Sequence, residues 1–227
     1  MVAQNMNQPA RPGSGHALRE IGWIRDDFAH IRNRDPALRG KPLAWLEVLT
    51  YPGLWAIASH RIAHAFHRAG LPLLPRVLSQ LARFLTGVEI HPGAQIGRGL
   101  FIDHASGVVI GETAEIGEHV LMFHQVTLGN ADVDSAGKRH PTIGSGVVLG
   151  AGAMVLGPIT VGDFSVIGAG TVVTRSVPTH SLVVGCAGRV VRTLNQTAPA
   201  DPDYDCGCRF ATGVDGMVAN QVPAGCC

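Results

Sequence analysis

Two dipeptides carry the clearest chemical potential in this chain, Asp103-His104 and Arg139-His140. A neutral imidazole can take a proton from a hydroxyl near neutral pH, and a carboxylate beside it fixes its tautomer and raises its basicity. Glu89 stands 15 residues before His104. That is close to one turn of a coil made of three six-residue units, so Glu89 can reach His104 directly or across a subunit boundary. An isolated His is ordinarily a surface turn residue. His104 instead interrupts a repeat, has acidic neighbours, and is followed along the chain by a second His after an Arg. That combination points to a general base.

The elements that must position these residues are legible as a period of six. Ile90, Ile96, Ile102 and Val108 are six apart; after a slip of two come Ile110, Ile116, Met122 and Leu128. After a gap of fifteen follow Ile143, Leu149, Val155, Val161, Ile167 and Val173. Gly follows the aliphatic residue at many of these positions, as in Ile96-Gly97 and Ile167-Gly168. One aliphatic residue per six points inward, a short strand crosses each face, and a small residue allows the corner. Three such units make one triangular coil, and stacked coils pair as parallel strands. The spacing therefore predicts a parallel β-helix. The polar stretch between Leu128 and Ile143 reads as a loop thrown out from a coil, a natural place for function.

Ahead of the repeat the apolar spacing is helical. Helices are expected over about 17–32, 54–69 and 74–85, with Asp35-Pro36 ending the first because a residue before Pro avoids helical backbone. The chain thus divides into a disordered arm at 1–15, a helical part at 16–88, a β-helix at 89–194 and a flexible Cys-containing tail at 195–227, an α+β arrangement. Residues 1–88 hold 11 Lys/Arg against 5 Asp/Glu, and residues 89–227 hold 7 against 12. Trp23, Trp45 and Trp55 are expected in the core of the helical part. His60, His64 and His67 share one helix face and read as a solvated or packing face beside Arg61 and Arg68.

Composition removes several classes. The net charge is +1, without the basic excess of a nucleic-acid binder. No apolar run approaches the ~18 residues of a membrane span, and the N-terminus lacks an apolar secretory region, so a cytoplasmic setting is expected. Aromatic residues make up 5% and Gly reaches 29 residues, which suits a narrow aliphatic interior. Cys186, Cys206, Cys208, Cys226 and Cys227 all lie late in the chain, so the body is no disulfide framework. The last four can bind a soft metal or form redox-sensitive disulfides.

The run Glu89-Ile-His-Pro-Gly through Asp103-His104-Ala-Ser-Gly, then Gly111-Glu-Thr, Gln125-Val-Thr-Leu-Gly and Lys138-Arg-His-Pro, resembles serine O-acetyltransferases of the hexapeptide-repeat acyltransferases. The resemblance implies a left-handed coil and transfer of acetyl from acetyl-CoA to the hydroxyl of L-serine, the first step of cysteine biosynthesis from serine. It implies His104 as catalytic base, Glu89 as its dyad carboxylate where longer members have Asp, and His140 as a second active-site His. It further implies Asp35 and Asp103 as partners of the serine ammonium, Arg139 as the carboxylate fork, and Gly129, Ala151 and Ala169 along the pantetheine arm. No metal is implied.

A homotrimer is implied, with the active site between adjacent coil stacks. The short helical part leaves a hexamer open. Feedback inhibition by L-cysteine is a further implication, because cysteine resembles serine. The chain departs from the family's pattern at Gly129-Asn130, in a longer excursion loop, and at its end. Many relatives end in Ile, which docks into the sulfhydrylase, whereas this chain ends Gly225-Cys226-Cys227; that speaks against the complex. Two other readings share the scaffold: an acetyltransferase for a sugar or xenobiotic, and a γ-class carbonic anhydrase using His119 and His124, which are five apart.

Overall fold

The computed structural model describes residues 20–132 and 137–185. The expected arm at 1–15, the end of the repeat segment at 186–194 and the tail at 195–227, with all five Cys, lie outside the described residues.

Helix α1 (Ile24–Arg34) stops where expected: Asp35 turns to extended backbone ahead of Pro36. Asp35 then caps a short 3-10 turn (Pro36–Leu38), its Oδ1 accepting the Ala37 N–H at 2.7 Å. A short helix α2 (Ala44–Val48) follows, which the apolar spacing had not indicated. Next come α3 (Pro52–Arg68), with Pro in its first turn, and α4 (Leu74–Thr86). Gly87 ends α4 in left-handed backbone at φ 72, a conformation that costs a residue without Cβ little.

Short parallel strands then wind around three faces. The first face stacks β1 (Glu89–Ile90), β4 (Val109–Ile110), β7 (Thr127–Gly129), β10 (Met154–Leu156) and β13 (Val172–Val173). The second stacks β2 (Gln95–Ile96), β5 (Glu115–Ile116), β8 (Thr142–Ile143) and β11 (Thr160–Val161). The third stacks β3 (Phe101–Ile102), β6 (Leu121–Met122), β9 (Val148–Leu149), β12 (Val166–Ile167) and β14 (Leu182–Val183). Each strand pairs with the one a coil away, so Ile90, Ile110 and Leu128 form one inward column and Ile102, Met122 and Leu149 another.

The phase of the repeat needs one correction. Ile110, not Val108, stands over Ile90, so the coil from Ile102 to Ile110 spends eight residues where six is normal. Val108 is a buried corner residue, like Ala94, Leu100, Val120, Val126 and Val147 two positions before their own strand aliphatics. Two residues per six, not one, therefore face the interior. Each fully buried Leu, Ile or Val contributes about 1.5–3 kcal/mol, and the paired columns form one continuous core.

The helices are riveted to the lower coils. Asp27 is fully buried, and its carboxylate accepts from Arg61 Nε at 2.7 Å and Nη2 at 2.9 Å and from the Gly99 and Leu100 amides. Arg61 also donates to the carbonyls of Ile96 and Gly97. Burial raises the Asp27 pKa, with Arg61 and the two amides opposing it. Gly53 lets the start of α3 lie on the coil: a Cβ there would stand 2.2 Å from the Ile102 carbonyl oxygen. This fixes α3 beside Asp103-His104.

One expectation about the helices changes. Trp45 and Trp55 are 47% and 53% exposed, because no described residue covers the outer sides of these helices. Of the solvated or packing face expected for the histidines of α3, the packing alternative holds for His60 and His64, which are buried with Arg61, while His67 is exposed. His64 Nδ1 lies 2.7 Å from the Pro92 carbonyl, and its Nε2 lies 3.5 Å from Glu20.

Candidate active site

The eight-residue coil segment makes the corner that carries His104. Asp103 keeps the ladder, its N–H donating to Met122 O at 2.8 Å. His104 and Ala105 then take left-handed backbone at φ 58 and 54, and the Ser106 N–H turns back onto His104 O at 2.6 Å. Pairing resumes with Gly107 N–H donating to Gly87 O. The two extra residues thus form a bulge. Ala105 fills the interior and the His104 side chain is thrown outward, 72% exposed. Two adjacent non-Gly residues in this backbone region carry strain, a feature that clusters at functional sites.

Carboxylates gather at this corner. Asp103 Oδ2 lies 3.8 Å from His104 Nε2. Tyr51 O–H donates to Asp35 Oδ2, so both oxygens of Asp35 are oriented, one by Tyr51 and one by the Ala37 amide. Burial, then the Asp35 hydrogen bond, then the charges of Asp35, Glu47 and Asp103 push the Tyr51 phenol well above its ordinary range. Asp35 and Asp103 therefore act electrostatically on one phenol. Tyr51 itself packs against Phe101, ring centroids 6.4 Å apart. A cationic ligand group would find two carboxylates here beside an exposed imidazole.

Arg139 and His140 stand at a different corner, between the first and second faces. The excursion from β7 returns there, and residues 133–136 of its loop lie outside the described set. Arg139 Nη2 donates to Glu112 Oε2. Burial works against the Glu112 charge, yet Arg139 and His91 outweigh it and hold the carboxyl below its ordinary value. His140 is buried; burial and the Arg139 charge lower its pKa and keep it neutral. Its Nδ1 meets the Thr113 N–H at 3.1 Å and Oγ1 at 2.9 Å. A Cβ on Gly111 would stand 2.0 Å from His140 Cδ2, so only Gly leaves room for the ring.

The remaining candidates divide as follows. Glu89 lies on the first face, which joins the two corners, and pairs with Arg83 Nε at 3.2 Å. Among the described residues no ion pair joins it to His104. Ala151 and Ala169 stack at the His104 side of higher coils, Gly170 N–H donating to Ala151 O. Gly129 ends β7 on the Arg139 side, beside Leu156. Asn130 Oδ1 accepts the Asp132 N–H at 3.1 Å and starts the excursion.

His119 and His124 do not form a pair: His119 turns the corner between the second and third faces against His30, while His124 sits beside His104. Among the described residues no group of three His, Cys, Asp or Glu is placed to hold a metal.

Tyr51, Glu112 and Thr113 were not singled out for roles by the sequence reasoning. Register was the missing signal. Glu115 pairs with Thr142, so the same offset sets Thr113 against His140. The excursion hides that offset by lengthening one coil beyond the usual eighteen.

Residues 140–175 match the family described as bacterial transferase hexapeptide (six repeats). The serine acetyltransferase of Synechocystis is 58% identical over 166 residues, 73% of this chain and 65% of that protein. That of Helicobacter pylori strain J99 is 54% identical over 161 residues, 71% of this chain and 92% of that protein. The crystal structure of Neisseria gonorrhoeae serine acetyltransferase in complex with serine aligns with a TM-score of 0.69 at 39% identity, covering 78% of this chain and 70% of the other. Isoform 3 from Entamoeba histolytica, in complex with cysteine, aligns with a TM-score of 0.72 at 36% identity over 80% and 63%. A bulged corner bearing an exposed imidazole, a clamped Arg-His pair and identity at this level over nearly the whole Helicobacter protein have one explanation: the chain belongs to the serine acetyltransferase family.

Proposed function

We propose that the protein transfers acetyl from acetyl-CoA to the hydroxyl of L-serine, giving O-acetyl-L-serine and CoA, a step toward cysteine. The observation that carries this reading is the pairing of Asp35 and Asp103 with the exposed His104 at one bulged corner. Two carboxylates suit an ammonium group, and the imidazole suits the proton of a nearby alcohol. Arg139 is a planar fork for a carboxylate. An amino-acid alcohol needs all three functions, whereas a sugar needs neither charge partner.

In this reading serine holds its ammonium at Asp35 and Asp103 and its carboxylate at Arg139. His104 takes the hydroxyl proton as the oxygen attacks the thioester carbonyl, then returns it to the departing CoA thiolate. Glu89 is proposed as the dyad carboxylate of His104; this requires its side chain to leave Arg83. Gly129, Ala151 and Ala169 are the proposed lining for the pantetheine arm.

The two corners of one chain are separated by the first face, so a single coil stack does not bring His104 and Arg139 to one small substrate. We therefore propose a homotrimer of left-handed coils in which the His104 corner of one copy meets the Arg139 corner of the next. The outward column of the first face supports it, because Val109, Met154 and Val172 are 38%, 43% and 59% exposed there. Thr127 stands between Val109 and Met154 in that column, while Met154 and Val172 are direct neighbours, and exposed apolar residues gathered on one face suit an interface. Feedback by L-cysteine is proposed at the same serine-binding groups, and the relative from Entamoeba in complex with cysteine supports it. A cytoplasmic setting belongs to the same reading; no described helix is long and apolar enough to cross a membrane.

The test is thiol release from acetyl-CoA with L-serine, a panel of sugar acceptors, and L-serine plus L-cysteine. Serine-dependent release is expected. Release with a sugar and none with serine would overturn the assignment.

A further inference from the structure

We propose that Thr113 is a positioning residue that locks His140 as the neutral Nε2–H tautomer, so that His140 serves the acyl transfer as a hydrogen-bond donor to the developing oxyanion and not as a second base. The tautomer follows from counting hydrogen bonds. A Thr hydroxyl has one proton to donate and two acceptor positions. Thr113 Oγ1 accepts the Arg139 N–H at 3.0 Å and the His140 N–H at 3.0 Å. Both acceptor positions are then used. Its one proton is left to donate to the remaining neighbour, His140 Nδ1 at 2.9 Å.

The Thr113 backbone N–H aims at the same Nδ1 from 3.1 Å. Two donors converging on one ring nitrogen require a lone pair there. The proton of the neutral ring must therefore sit on Nε2. Nε2 has no hydrogen-bond partner among the described residues, so this N–H is available to a ligand. The lowered pKa of His140 agrees with a neutral ring. Gly111 completes the mount, since a Cβ there would stand 2.1 Å from Nε2 and displace the ring.

The chemistry needs such a donor. When the serine oxygen adds to the thioester carbonyl, the carbonyl electron pair moves onto oxygen, and a fixed donor stabilises that charge without reorganising. A freely rotating imidazole would present a lone pair there in one of its two tautomers. Thr113 removes that choice and, through the Arg139 and His140 amides, holds the Arg139 backbone in the same clamp. The oxyanion role rests on the activity proposed above; the tautomer does not.

The test uses the full chain labelled with ¹⁵N-histidine, with His140 assigned by loss of its signals in His140→Asn. Wild-type protein is expected to show an unprotonated Nδ1 and a protonated Nε2 near neutral pH. Thr113→Val, which keeps the shape but loses the hydroxyl, is expected to lower kcat ~10–100-fold with the KM for acetyl-CoA within about twofold. Thr113→Ser is expected to restore kcat to within about threefold of wild type, because it keeps the hydroxyl. A proton on Nδ1 in the wild type, undiminished kcat in Thr113→Val, or a Thr113→Ser variant as impaired as Thr113→Val would each overturn the proposal. Wild-type protein without serine acetylation but with the Nε2–H ring would defeat the activity reading and leave the tautomer standing.

Discussion

The imidazoles of His104 and His124 meet edge to face, their centroids 5.9 Å apart and their planes at 89°. They occupy the same corner of successive coils, yet only His104 sits on a bulge. His124 keeps Nδ1 buried with no hydrogen-bond partner among the described residues, so ring contact, not a hydrogen bond, relates the two. The lower ring is lifted outward by the two extra residues and backed by the upper one.

His104→Ala should therefore separate chemistry from folding. Turnover with serine is expected to fall at least ~100-fold, the loss typical of a positioned acid-base group. The side chain is largely exposed, so the midpoint of urea unfolding should hardly move. Near-normal kcat in this variant would remove His104 from the mechanism.

Tyr51→Phe tests the acidic half of the same corner. The phenol orients Asp35 through a hydrogen bond to a charged acceptor, worth about 1.5–3 kcal/mol. The KM for serine should rise roughly tenfold or more, with the KM for acetyl-CoA unchanged. Equal changes in both constants would mean that Tyr51 acts only through packing on Phe101.

Asp27→Ala should be among the most damaging single changes in the helical part. It leaves the Arg61 guanidinium buried without its carboxylate and the Gly99 and Leu100 amides without an acceptor. A loss of about 3–5 kcal/mol is expected, read from urea unfolding. Replacing Asp27 and Arg61 together by apolar residues should recover part of it. A loss under about 1 kcal/mol would show that the pair behaves like a surface salt bridge.

Acidification should destabilise the protein through His60. Its pKa is held well below the ordinary value by burial first, then by the charges of His64 and Arg61. Burial likewise lowers His64. Below pH ~6.5 the unfolded chain takes up protons at these sites and the folded chain does not, so stability falls as pH falls. Each such histidine contributes up to about 1.4 kcal/mol per pH unit in that window. His60→Gln should flatten the dependence of unfolding free energy on pH between 6.5 and 5. An unchanged slope would exonerate His60.

Much of this architecture is written locally. The period of six needs only neighbouring residues, because each strand has two or three residues and each corner a small one. Asp35-Pro36 ends α1 for an equally local reason, the steric restriction before proline. Local pattern misled where local cause was insufficient. Val108 fits the period, yet its place was decided by the bulge before it. Trp45 and Trp55 look like core, yet exposure depends on whether another layer covers them.

The amino-acid sequence by itself determined a stacked coil behind a helical segment, the two interruptions in that coil, and the residue types that stand at them. Only the tertiary structure decided that the interruptions fall at different corners, that Asp35 comes through Tyr51 to the His104 corner, and that Thr113 grips a histidine 27 residues away. The physical reason is register. Which side chains meet across stacked coils depends on the total length of everything between them, and a bulge or an excursion shifts that total without leaving any trace in the residues that finally touch.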